Sequence, residues 1–223
     1  FWRWIAALAI LLPFTFRHVK RDWKTAMDSW PWLLVLSFLG VSCFNSMLYS
    51  AAHTTTAINV SLMQTAMPTM IILISWVVFK EKISSIQLAG VMVSMAGACF
   101  IVVRGQWRIL LTMELVKGDV LMLIAVFIYA LYSALFRKRP SIHPLSLLVL
   151  TFGWGALMLL PFYIWELVVV GPFSISLVAL MSILYVAIFP SIVAYFCWNR
   201  GIELIGANRA GLFTYLIPVF AST

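Results

Sequence analysis

The chain has 223 residues, 64% of them hydrophobic and only 10% charged, with a mean hydropathy of +1.05 and a formal net charge of +8. About a quarter of the residues of an ordinary globular domain are charged, so this composition excludes a water-soluble fold: too few polar side chains exist to cover its surface. A nucleic-acid binder is excluded as well, because the lysines and arginines occur in short runs between long apolar stretches rather than along one polar face.

A helix needs roughly 20 mostly apolar residues to cross hydrocarbon, where backbone groups must bond internally and each residue rises about 1.5 Å. That measure predicts helices at residues 1–16, 32–52, 57–79, 86–103, 118–136, 145–169, 176–198 and from 207 onward. The first and last are short. The chain opens on Phe1 and stops at Thr223 inside an apolar run, so it is expected to be a fragment cut within a helix at each end. The connections are short and polar, which implies antiparallel neighbours. Cys43, Cys99 and Cys197 lie far apart, each inside an apolar stretch, and read as packing residues rather than a redox pair or zinc ligands. No metal and no cofactor are expected.

Orientation follows from where the basic residues fall. If residues 17–31 face the cytoplasm, alternation places 80–85, 137–144 and 199–206, with Arg209, on the same side. These segments hold all 15 lysines and arginines except Arg3, Arg104, Arg108 and Lys117. Trp30, Trp32, Trp107 and Trp165 fall near the predicted interfaces, where amphipathic rings belong. The expected setting is the cytoplasmic membrane, crossed many times and in contact with lipid.

The sequence also repeats. Ala57 and Ala207 each begin an apolar helix 150 residues apart; Leu62 matches Leu212, and Pro68 matches Pro218. The turns before them, 53–56 and 203–206, are equally short. Leu-Leu-Pro-Phe occurs at 11–14 and again at 159–162, an offset of 148. Counting helices, the offset spans an odd number, so equivalent helices run in opposite directions through the membrane. Inverted repeats of this kind commonly enclose a substrate site near the midplane, with access alternating as one half rocks against the other.

The stretch 1–14, the run from Ala57 to Pro68 followed by Phe79-Lys80-Glu81-Lys82, the start Gly118-Asp119 leading to Tyr129-Ala130-Leu131-Tyr132, and the run from Ala207 to Pro218 together resemble the EamA-type transporters of the drug/metabolite transporter superfamily. The similarity covers nearly the whole chain, through loose motifs of small and apolar residues around a few prolines, glycines and acids. It implies an all-α membrane protein, a polytopic helix bundle of two inverted five-helix repeats, with about eight of ten helices present here. Residues 1–103 would be the first repeat, 104–117 an outer loop and 118–223 the second repeat. It further implies movement of a small metabolite, an amino acid, amine or drug-like compound, with export expected.

Polar groups inside a bilayer are costly unless paired or facing a water-filled cavity, so they are the first candidates for a site. Ser61, Gln64, Thr65 and Pro68 share one helical face, and their equivalents 150 residues on are Gly211, Thr214, Tyr215 and Pro218. Asn45 and Tyr49 match Tyr195 and Asn199, the same two residue types exchanged. Two readings fit. These faces line a central pocket in which amides and phenols hydrogen-bond a small-molecule substrate, or they carry interhelical bonds worth about 0.6 kcal/mol each. Pro68 and Pro218 bend or break their helices and free carbonyls. Trp154, Tyr195, Trp198 and Tyr215 have the composition of an aromatic box for an amine, and equally that of core or interface anchors. Glu81, between Lys80 and Lys82, is placed to pair with a basic loop and gate, or to form a plain interfacial ion pair.

Every carboxylate falls at or beyond a predicted helix end, leaving no acid at midmembrane; a neutral or zwitterionic substrate is therefore favoured over a cation. No catalytic residue is assigned. The alternatives are an intramembrane enzyme, for which HExxH, GxSxG and membrane-embedded paired acids are all lacking, and a channel, which an inverted repeat within one chain disfavours.

Overall fold

Helix succeeds helix through the computed structural model, which describes residues 1–102, 108, 116–171 and 176–217. No strand occurs among them. The elements are α1 (Trp2–Asp28), α2 (Trp30–Ser37), a π-helical turn (Phe38–Cys43), α3 (Phe44–Ala52), α4 (Ala57–Gln64), α5 (Met67–Phe79), α6 (Ser85–Val102), α7 (Lys117–Leu135), α8 (Pro144–Val169), α9 (Leu177–Ala187), a second π-turn (Ile188–Val193), α10 (Ala194–Ile205) and α11 (Ala207–Leu212). Joined across their turns, five stretches among the described residues are long and apolar enough to cross a membrane: Trp30–Ala52, Asn59–Phe79, Lys117–Lys138, Pro144–Val169 and Leu177–Ile205.

Two expected loops are helical. Residues 17–31 were expected to form a cytoplasmic loop, yet α1 runs on to Asp28. Hydropathy falls after Phe16, but leaving hydrocarbon does not end a helix, and no glycine or proline interrupts residues 14–30. The break comes at Ser29, with Pro31 in the first turn of α2, where its missing N–H costs nothing. Residues 199–206 were likewise expected to form a loop; α10 instead continues to Ile205, and Gly206, at φ +82°, makes the turn alone.

The chain divides into two compact units, Phe1–Ser42 with Lys138–Gly201, and Cys43–Arg137 with the described residues from Ile202 onward. Each therefore takes chain from both sequence halves. In the first unit α1 packs on α8 and α9, and α2 on α8. The buried face of α1 repeats at helical spacing through Trp4, Ala7, Leu11 and Thr15. Trp4 meets Phe152 of α8 at 4.8 Å between ring centroids and Tyr195 edge-on at 5.6 Å. Gly155 lets the first π-turn close on α8: a Cβ there would lie 2.3 Å from Val41 Cγ1.

In the second unit α7 is the central helix, packing on α3, α4 and α5, while α11 rests on α5 and α6 touches α4 and the 3-10 turn Phe213–Leu216. Phe44 and Tyr129 meet at 4.4 Å between ring centroids, their planes tilted by 41°, where α3 meets α7. The start of α7 comes so close to the α3–α4 turn that a Cβ on Gly118 would lie 2.8 Å from the Ala51 carbonyl oxygen.

Candidate functional site

The two π-turns stand 150 residues apart, at 38–43 and 188–193, the offset of the sequence repeat. A π-turn widens the helix by bonding i to i+5, which leaves carbonyls exposed to other donors. The second turn has a visible cause. Val186 O would accept the N–H of residue 190 in an α-helix, but residue 190 is proline, and Ser191 Oγ donates to Val186 O at 2.7 Å instead. In both turns the third residue offers its carbonyl to a distant side chain: Gly40 O accepts the Tyr195 hydroxyl, and Pro190 O accepts Arg3 Nη2 at 2.8 Å. Arg3 also donates through Nε to Ser191 Oγ and lies over the Trp4 ring at 4.6 Å. Ser42 of the first turn donates to the Gly155 carbonyl at 3.0 Å.

The exchanged pair follows directly on these turns. Asn45 sits in the first turn of α3 and Tyr195 in the first turn of α10; Tyr49 and Asn199 lie one turn further on. Asn45, Tyr195 and Asn199 are buried, whereas Tyr49 is half exposed. Tyr195 packs between Trp4 and Phe152 and donates its hydroxyl to the Gly40 carbonyl. Trp154 and Trp198, also in that unit, are partly exposed.

Gln64, Thr65 and Pro68 mark a helix break in the second unit. Thr56 caps α4 by accepting the Asn59 N–H at 3.2 Å, the helix ends at Gln64, and α5 restarts at Met67 with Pro68 in its first turn. Thr65 is buried and its hydroxyl donates to Leu62 O at 2.6 Å; Gln64 is partly exposed. At the equivalent place in the second repeat α11 gives way to the 3-10 turn Phe213–Leu216, where Tyr215 donates to Val91 O at 3.3 Å. Pro218 lies outside the described residues.

Polar clusters at helix ends were legible only in part. Glu81 accepts from Arg137 and, at 2.8 Å, from Asn208 Nδ2; the Arg137 guanidinium rests on the Phe79 ring at 4.1 Å. In the same unit Asp119, with no exposed surface, accepts from Thr55 Oγ1, from Asn59 Nδ2 at 3.0 Å and from the Val116 N–H at 3.0 Å. In the first unit Asp22 accepts the His143 N–H at 2.9 Å and the Ser146 hydroxyl at 2.7 Å, closing the start of α8 with a carboxylate where the helix dipole favours one. Burial alone would raise the Asp22 pKa; the bonds from Ser146, His143 and Arg21 outweigh it and hold the carboxyl below its usual range. His18 stacks on His143 at 4.1 Å. Burial, and then the neighbouring His18, push the His143 pKa down. No group of three or more His, Cys, Asp or Glu able to hold a metal occurs among the described residues.

Arg3 and the serines of the π-turns were not singled out from sequence. An arginine entering an apolar stretch, and Ser191 placed just after a mid-helix proline, were the available signals.

A helical membrane protein with several long apolar spans, and with one proline- or π-broken helix pattern used twice at a fixed offset, has the architecture of a membrane transporter built from repeats. The chain belongs to the EamA-like transporter family, whose model matches residues 1–103 and 116–223. It is 26% identical over 215 residues to the uncharacterized transporter YyaM of Bacillus subtilis, covering 96% of this chain and 70% of that one. An uncharacterized transporter of Archaeoglobus fulgidus is 26% identical over 228 residues, covering 100% of this chain and 75% of the relative. YetK of Bacillus subtilis, also an uncharacterized transporter by name, is 30% identical over 194 residues, 85% of this chain and 58% of its own. The chain is thus a multi-pass membrane protein of a transport family, and it spans between 58% and 75% of the length of these relatives.

Proposed function

We propose that the protein exports a small neutral or zwitterionic metabolite, of the amino-acid, amine or drug-like kind, across the cytoplasmic membrane by alternating access. The observation that carries this reading is the duplicated π-turn followed by Asn45 and Tyr49 in one repeat and by Tyr195 and Asn199 in the other. Widened turns are breaks in a spanning helix, and breaks at equivalent places in two repeats are where transporters hold substrate. Asn45, Tyr49, Gln64, Thr65 and Asn199 supply the amides, phenol and hydroxyl that hydrogen-bond an uncharged or zwitterionic group. Trp154, Tyr195, Trp198 and Tyr215 supply apolar and ring surface, and Tyr195 also holds the first π-turn in shape through Gly40. Pro68, Pro218 and Glu81 act in opening and closing rather than in contact with substrate.

The test is a screen of metabolites accumulated inside and outside cells carrying or lacking the intact gene, followed by flux of the substrate so found into proteoliposomes. Saturable flux that Tyr49→Phe and Gln64→Ala each reduce at least fivefold, at unchanged membrane expression, is expected. Conductive flux that does not saturate overturns the carrier reading, and normal flux in both variants overturns the site assignment.

A further inference from the structure

Within the second unit α5, α6 and α11 leave a cavity of about 260 Å³. One part of its wall is apolar, from Ile72, Val91 and Leu212; the polar part comes from Gln87 and Ser94 of α6 and from Asn208 and Arg209 at the start of α11. Gly90 contributes open wall, since a Cβ built on it meets nothing within 4 Å. The volume matches on the order of nine waters at ~30 Å³ each, enough for a segment of acyl chain and too little for a whole lipid, so the bulk of any occupant lies outside. The face of α6 beside the cavity is that of a helix against lipid: Ile86 is 84% exposed, and Leu88, Met92 and Val93 are all more than half exposed.

Charge decides what this cavity takes. The Arg209 guanidinium is exposed and makes no ion pair among the described residues. Glu81, the carboxylate that Asn208 donates to, is already held by Arg137. Lys80 and Lys82 flank Glu81 in the chain, so this end of the unit is cationic on balance. A basic rim over an apolar slot at a cytoplasmic helix end fits an anionic headgroup with its chain running inward. We infer that the cavity binds an anionic phospholipid, its phosphate on Arg209 and the Gln87 amide, and the first part of an acyl chain on Ile72, Val91 and Leu212. Through Asn208 the bound lipid touches the residue that links Glu81 to α11. The site is independent of the transported substrate; it rests only on the chain lying in a membrane with this end toward the cytoplasm.

Native mass spectrometry of the intact protein in detergent tests this, with phosphatidylglycerol and phosphatidylcholine of identical chains as probes. The wild type is expected to retain one phosphatidylglycerol more than Arg209→Gln does, the affinity for that molecule falling about tenfold, while Arg209→Lys keeps most of it. Gly90→Leu, which fills the slot, is expected to remove the same adduct with Arg209 still present. Melting temperatures within a few degrees of wild type establish that each variant is folded. Glycerol 3-phosphate is added as the headgroup without its chains, and no displacement is expected. Equal retention of phosphatidylcholine, an unchanged adduct in Arg209→Gln, or displacement by glycerol 3-phosphate each overturns the assignment, the last in favour of a soluble phosphate ligand.

Discussion

Asp119 accepts from three donors and exposes no surface, a combination that makes its removal costly in a way a helix-end acid ordinarily is not. Asp119→Ala strands the Thr55 hydroxyl and the Asn59 amide, and Asp119→Asn turns a donor toward donors. Stranding these partly buried groups beside a fully buried position costs about 1–3 kcal/mol in all. At roughly 2–4 °C per kcal/mol for a chain of this size, a melting temperature lowered by about 5–10 °C is expected in detergent for either variant, and an unchanged value for both would refute the account. From sequence Asp119 was visible only as an acid at a helix end, because its side-chain partners, Thr55 and Asn59, lie about 60 residues away and nothing local encodes their approach. His143 leads to a prediction about pH. Its folded pKa lies below the ordinary 6.5, so the unfolded chain takes up the proton first as pH drops. The stability His143 contributes is complete above that ordinary value and is lost as pH falls below it. Asp22, also depressed, loses its contribution only at more acid pH, as its own lowered pKa is crossed. The melting temperature should therefore decline between pH 7.5 and 5.5, and His143→Gln should flatten that decline; an identical slope in the variant would show that another group is responsible.

Helix positions were mostly read correctly because twenty apolar residues in a row leave little else to form, but helix ends and irregular turns were not. The continuation of α1 to Asp28 follows from uninterrupted helix-forming residues, which a hydropathy criterion does not weigh. The π-turns carry no compositional mark: Phe-Leu-Gly-Val-Ser-Cys and Ile-Phe-Pro-Ser-Ile-Val share no residue at equivalent positions, and only the missing N–H of Pro190 gives one of them a local cause. The contact of the first π-turn with α8 is equally silent in sequence, since Gly155 is one of 11 glycines and only the structure shows Val41 against it. Gly155→Ala is expected to lower stability by about 1–3 kcal/mol, the usual cost of forcing an extra methyl into a packed contact. Val41→Gly in the same chain should recover part of the loss, because both the methyl and the Cβ of Val41 crowd the new Cβ. Additive losses, measured by denaturation in mixed micelles, would show that the two residues do not meet in this way.

At the scale of the whole molecule the repeat was the most legible feature, because Ala57 with Pro68 and Ala207 with Pro218 preserve a spacing as well as a composition. What that spacing could not reveal is that the compact units are assembled across the repeats: the chain leaves the first unit inside the stretch Trp30–Ala52 and again inside Leu177–Ile205. Those two stretches are also the ones that contain the π-turns, so each irregular turn lies at or near a crossing from one unit to the other. If transport depends on a change of conformation around a bound substrate, substrate on the far side must speed the return of the carrier. Proteoliposomes preloaded with excess unlabelled substrate should then take up labelled substrate several-fold faster than empty ones, and do so without any imposed ion gradient. A channel has no return step to speed, and gives the same initial tracer flux from either preparation. Ser191→Ala offers a sharper form of the experiment, since it removes the hydroxyl that Val186 O and Arg3 share and leaves Asn45, Tyr49 and Asn199 untouched. Counterflow reduced at least threefold, with half-saturation unchanged within twofold, is expected if the second π-turn serves the conformational step. A raised half-saturation constant with undiminished maximal counterflow would place Ser191 in substrate binding instead.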